Sequence, residues 1–132
     1  MARLKHPIRE AERYLQNAHK ILSEKAEKDG EYYNDTKYVK LAGHAAWSGV
    51  LTALDAVLGV RDKLKKGQRL SFNDYENAMA KKDRKMINPL LGAYESCHKS
   101  MGYDGNPSYK IVRESLHQAK MIIDWADKHY QE

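Results

Sequence analysis

The sequence predicts an all-α protein, an antiparallel four-helix bundle with up-and-down topology. Three observations lead there. Apolar residues recur at the 3.6-residue helical period along four long segments. No segment shows the strict apolar–polar alternation of a half-buried strand. The connections between segments are short and rich in turn residues, as antiparallel neighbours require. The 132 residues amount to one domain, and a composition of 42% hydrophobic and 31% charged is globular rather than disordered.

The first helix is expected from Pro7 to about Lys28, with proline suited to its first position. Ile8, Ala11, Leu15, Ala18 and Leu22 make one stripe. Asp29-Gly30 is expected to stop it. The second helix starts after Asn34-Asp35-Thr36 and ends near Gly59. Ala42, Ala45, Ala46, Gly49, Ala53 and Ala56 fall on one side of it, beside Val39, Trp47, Val50, Leu54, Val57 and Leu58. So wide an apolar face implies several partners, inside the bundle or across a homodimer. The polar remainder is a narrow stripe holding His44, Ser48 and Asp55.

A basic connector, residues 61–69, follows. Ser71 caps the third helix, Phe72 to about Lys82, with Asp74 and Glu76 in its first turn. Asn88-Pro89 either kinks one long rod or splits it, giving five helical segments. The rod continues through Leu91, Tyr94 and His98, taken as its inner stripe, to Met101, and Gly102 closes it. Asn106 caps and Pro107 opens the last helix, whose inner stripe is Ile111, Ser115, Ala119, Ile122 and Ala126. If the rod is continuous, the loops near Asp29 and Gly102 lie at one end and gather Tyr32, Tyr33, Tyr103 and Tyr109. The basic connector lies at the other.

The single cysteine, Cys97, excludes an internal disulfide framework and a multi-cysteine zinc site. The basic N-terminus leads into no apolar run, so a cytoplasmic protein without a secretory signal is expected. Residues 41–60 have the length of a membrane span. Asp55 near the middle would cost roughly 3 kcal/mol there, so a buried central helix is the expectation, with no membrane partner.

Three blocks, Ala11-Glu12-Arg13-Tyr14-Leu15, Asp35-Thr36-Lys37-Tyr38-Val39-Lys40 and residues 48–55, resemble a small bacterial helical domain family of unknown function. The stretch from Ala93-Tyr94 through His98 to Gly102-Tyr103-Asp104-Gly105 is similar to its last characteristic block. The resemblance spans nearly the whole chain. It implies a bundle shaped like the HEPN superfamily, which includes toxin ribonucleases, nucleotide-binding partners and non-catalytic scaffolds, and it implies no established activity.

The HEPN ribonucleases use an arginine and a histidine four to six residues apart on the last long helix. Arg13 and His19 have that spacing on the wrong helix. Arg113 and His117 are on the right helix but too close. Glu95-x-x-His98 and Glu114-x-x-His117 match half of a di-metal carboxylate pattern. Yet Glu114 and His117 point away from the apolar stripe and the second helix has no glutamate, so no metal and no other cofactor are called for. His98, Tyr103, Asp104 and Tyr33 form a candidate pocket wall. His44, Ser48 and Asp55 run along an axis without converging and are expected as a solvated seam or a polar contact between helices.

Charge is more informative. Residues 61–85 hold nine basic and four acidic side chains, which accounts for the whole net charge of +5. Lys63, Lys65, Lys66, Lys81, Lys82 and Lys85 are therefore candidate phosphate contacts. Only Phe72 and Tyr75 accompany them, few for stacking bases. The sequence therefore reads as a non-enzymatic module acting through a protein partner or as a homodimer. The alternative is a HEPN-like nucleic-acid or nucleotide binder, with ribonuclease or toxin activity as its extension.

Overall fold

The computed structural model describes residues 6–131. Residues 1–5, on which the secretory expectation rests, lie outside them.

Helix α1 (Pro7–Lys25) opens with proline, and the His6 ring accepts a hydrogen bond from the Arg9 amide. Its predicted stripe, Ile8, Ala11, Leu15, Ala18 and Leu22, is buried throughout. The helix ends earlier than the sequence suggests. Glu27 takes a positive φ of 55° and the chain enters a small hairpin, β1 (Lys28–Asp29) against β2 (Tyr32–Tyr33). Asp29-Gly30 is thus hairpin chemistry rather than a helix stop, with Gly30 at φ 63°. Two residues per strand are too few to show alternation, which is why no strand is visible in the sequence.

Helix α2 (Thr36–Leu58) is capped by the Asp35 carboxylate, which accepts from the Lys37 amide, and closed by left-handed Gly59. It is the central helix, packed on α1, on the last helix and on the chain that follows α3. Most of its wide apolar face is therefore covered within this chain, with Val57 partly buried and Leu41 exposed. Ala42, Ala46 and Ala53 are fully buried, whereas Ala45 and Ala56 sit at the rim. Gly49 marks a close crossing on the small-residue side, since a Cβ there would lie 2.8 Å from the Ala11 carbonyl oxygen of α1. By length and composition α2 could span a membrane, but half of its most apolar window is buried inside the protein, as befits a core helix.

Helix α3 (Phe72–Lys82) begins with a capping box formed by Ser71 and Asp74. The break after it falls at Asp83, not at Asn88-Pro89. Asp83 accepts from the Lys85 amide and, on its other oxygen, from the Trp125 indole at 3.0 Å. Pro89 lies in the first turn of α4 (Ile87–Ala93), where its missing N–H forfeits no helical bond. The rings of Phe72 and Tyr94 stack with centroids 3.9 Å apart. On a single rod they would be separated by roughly 33 Å. So α3 folds back on α4 as a fifth segment, and the bundle proper is α1, α2, α4 with its extension, and the last helix.

That extension, Tyr94–Tyr103, is a π-helix, and its last bond runs from the Asp104 amide to the Lys99 carbonyl five residues back. The inner side of α4 and its extension is Leu90, Ala93, Cys97 and Met101, all fully buried. The expected stripe of Leu91, Tyr94 and His98 is one residue out of register and lies half-buried at the boundary. Helix α5 (Tyr109–His129) is capped by Ser108 rather than Asn106, whose side chain instead accepts from the Ser108 amide. Ser115, Ala119, Ile122 and Ala126 are buried as predicted, but Ile111 is exposed, and Val112 and Leu116 take its place inside.

The two loops do share one end. The Tyr33 amide donates to the Pro107 carbonyl at 2.9 Å, and the Tyr109 amide to the Glu31 carbonyl at 2.8 Å. Tyr33 and Tyr109 meet there with centroids 6.0 Å apart, while Tyr32 and Tyr103 face solvent.

Candidate functional site

The candidate pocket of His98, Tyr103, Asp104 and Tyr33 is not assembled. Tyr33 faces the groove between α1 and α5, Tyr103 is 76% exposed, Asp104 is exposed, and His98 turns toward α2. Adjacency in sequence misleads here, because Cys97 and Met101, not His98, hold the inner side of the π-helix.

His98 instead belongs to an open groove of about 430 Å³ where α2, α3 and the π-helix meet. Its walls are largely aromatic. Trp47 lies 5.5 Å from Tyr94 and 5.7 Å from His98, and Phe72 stacks on Tyr94. Nδ1 of His98 is buried without a hydrogen-bond partner. Burial, followed by the nearby charges of His44 and Lys99, pushes this imidazole below its ordinary range.

One end of the groove is polar. Asp55 accepts from the Tyr75 hydroxyl at 2.6 Å and from Arg61 Nε at 2.9 Å. Burial raises the Tyr75 phenol well above its usual value, with the Asp55 carboxylate adding to the effect. The hydrogen bond to Asp55 in turn raises Arg61. Asp55 is therefore the polar contact between helices expected of the second-helix stripe. His44 and Ser48 do not join it. His44 is exposed and lies against Gly102.

All six candidate lysines are exposed, and none enters an ion pair among the described residues. Lys63 sits on a short 3₁₀ turn, Val60–Lys63, that packs on α3. Lys81 and Lys82 end α3, and Lys85 follows its cap. Two of the four acids in this stretch are taken up locally, Asp74 by the capping box and Asp83 by the Lys85 amide and the Trp125 indole. Phe72 and Tyr75 are unavailable as stacking platforms, the first against Tyr94 and the second 3% exposed.

The remaining candidates lie on solvent-facing sides of their helices. Arg13 is exposed and paired with Glu10, and His19 is exposed on the same helix. Arg113, Glu114 and His117 all face solvent. No group of three or more His, Cys, Asp or Glu that could hold a metal ion occurs among the described residues. The Asp55–Tyr75–Arg61 contact escapes sequence reasoning because its members come from α2, the connector and α3. The six-residue step from Asp55 to Arg61 across a helix-ending glycine is its sole local signal.

With this geometry in view, comparison with known proteins is informative about kinship. The model of a domain of unknown function (DUF5618) matches residues 6–128. The chain belongs to the DUF5618 family. A solved structure with the same fold is that of a protein of unknown function from Dyadobacter fermentans. It is 38% identical, superposes with a TM-score of 0.82, and the match covers 92% of this chain and 93% of that one. No curated protein matches. The DUF5618 fold is thus the five-segment helical bundle described above, and the resemblance seen in the sequence is to an unknown-function helical family.

Proposed function

We propose that this DUF5618 protein is a non-enzymatic cytoplasmic module that docks an acidic protein partner on the face formed by the connector and α3. The observation behind this reading is the basic stretch of residues 61–85, whose six lysines are exposed and enter no ion pair among the described residues while two of its four acids serve as helix caps. Such a surface attracts anions and speeds encounter with an acidic partner. A non-catalytic role is supported by the dispersal of the arginines, histidines and carboxylates, which do not converge on one reacting position. Most of the apolar face of α2 is covered within the chain, which leaves it little surface for a homodimer.

The same lysines favour a second reading, a HEPN-like nucleic-acid or nucleotide binder. The burial of Tyr75 and the stacking of partly buried Phe72 on Tyr94 weigh against it, since single strands are held by exposed aromatic rings as well as charge. Fluorescence anisotropy at low ionic strength separates the two, using a labelled polyglutamate peptide, mixed-sequence RNA and mixed-sequence DNA. The peptide should bind, weaken with salt, and be lost in the Lys65→Glu/Lys66→Glu variant. Tighter salt-sensitive binding of RNA or DNA moves the assignment to the second reading. No salt-sensitive binding of any probe overturns both.

A further inference from the structure

A second groove, on a different face, has a more specific chemistry. It runs between α1 and α5 beneath the hairpin and encloses about 430 Å³, within the usual range for small-molecule sites. Its floor is apolar, made by Leu22, Val112 and Leu116, each no more than 5% exposed. Its rim carries three basic side chains from three elements, His19 of α1, Lys28 of the hairpin and Arg113 of α5. No carboxylate lines it among the described residues.

Two further facts bear on this arrangement. Lys28 Nζ lies 4.0 Å and Arg113 Cζ 5.9 Å from the centroid of the same ring, that of Tyr109. Neither cation, nor His19, enters an ion pair among the described residues. Arg13 and Lys20 of α1 are paired with Glu10 and Glu24, whereas Lys28 and Arg113 lie against a ring quadrupole. The scaffold is fixed by backbone. The hairpin is tied to the start of α5 through the Tyr33–Pro107 and Tyr109–Glu31 hydrogen bonds, so Lys28 and Arg113 are held in register. Tyr33, 8% exposed, adds a phenol beside them.

We propose that this groove binds a small amphiphilic carboxylate, an acyl or aryl acid whose apolar body lies on Leu22, Val112 and Leu116 and whose head group sits between Lys28 and Arg113. A carboxylate supplies the counter-charge that the groove lacks. An apolar body displaces water from a floor with no polar side chain to hold it. The site shares none of the six lysines of the connector–α3 face, so it stands or falls independently of partner docking.

The test is titration of the 15N-labelled full chain with monomeric decanoate, benzoate and inorganic phosphate, followed by NMR and calorimetry. Decanoate or benzoate should bind saturably and shift amides within residues 19–33 and 109–116. Lys28→Gln/Arg113→Gln should weaken that binding by at least about tenfold, the scale of one lost charge-assisted hydrogen bond. Lys81→Gln, on the other face, should leave it unchanged. The double variant should keep its unfolding midpoint and its polyglutamate affinity, which separates loss of this site from loss of the fold or of the docking face. Absence of saturable binding by both acids, equal affinity in the double variant, or phosphate binding as tightly as decanoate would each overturn the proposal.

Discussion

Replacing Gly43 by alanine should destabilise the protein, although an alanine is normally the better helix former. A Cβ built on Gly43 lies 2.5 Å from the Gly102 amide nitrogen, 2.7 Å from the Cys97 carbonyl oxygen and 2.7 Å from Met101 Cβ. Two of the three are backbone atoms of the π-helix and cannot swing aside. Removing a helical glycine is worth about 1 kcal/mol in favour of the variant. Overpacking against a rigid neighbour costs about 1–3 kcal/mol, and backbone obstruction puts Gly43 at the upper end. The net expectation is about 2 kcal/mol of destabilisation, or roughly 1 M in urea midpoint at a slope near 2 kcal/mol/M. Gly92→Ala is the matched control. Its Cβ would meet only the far end of the Gln118 side chain at 2.6 Å, which can rotate away from Ser96. That variant should stay within about 1 kcal/mol of the wild type. Paired urea melts give both numbers. If Gly43→Ala raises the midpoint as much as an exposed helical glycine would, the close approach of α2 and the π-helix is refuted.

Other perturbations address other contacts. Tyr75→Phe removes the hydroxyl that donates to Asp55 and should cost about 1–2 kcal/mol in the same assay, while a neutral result would mean Arg61 and water satisfy the carboxylate alone. Cys97 is fully buried, donates to the Ser115 carbonyl, and has its thiol pushed up to about 12 by burial. It should therefore react with a thiol reagent at pH 8 only as fast as the protein opens, and rapid labelling of the native state would contradict that burial. His98 is held below its ordinary range, so as pH falls the unfolded chain takes up this proton first, near pH 6.5. Its contribution is neutral above that pH and destabilising below it, and His98→Gln should flatten the acid limb of the stability curve; an NMR midpoint for His98 above 6.5 would reverse the sign. Lys65→Glu/Lys66→Glu should change stability by less than about 0.5 kcal/mol, because both side chains are exposed.

The parts of the fold legible in the sequence are those written in side-chain pattern. The α1 stripe, a cap for α2 within Asn34-Asp35-Thr36, its end at Gly59 and the Ser71 cap of α3 all follow from residue type and spacing. The close crossing at Gly49 does too, because a whole side of α2 is built from small residues. The parts that were not legible depend on backbone or on long-range contact. The π-helix leaves no periodic mark, and Ala93 of α4 and Cys97 of the π-helix, both inner positions, look less apolar than their neighbours Leu91 and Tyr94. Small residues win there because α2 approaches so closely at Gly43. That preference placed His98 one residue too far inward and assembled a pocket that does not exist. The break at Asp83 has no local signature, because its fixing partner, Trp125, lies 42 residues away. The charge of residues 61–85 was legible as arithmetic, but its exposure and the local use of Asp74 and Asp83 required the fold. The α1–α5 groove was invisible in the sequence, since the hairpin brings Lys28 beside Arg113 across most of the chain.

The docking face of the DUF5618 bundle is tested most directly by mapping amide shifts of the 15N-labelled protein as polyglutamate is added at low ionic strength. Perturbations should concentrate in residues 60–85, fade as salt is raised, and vanish in the Lys65→Glu/Lys66→Glu variant. Shifts that fall instead on the exposed sides of α1 and α5, or no shifts at all, would contradict the assignment of that face.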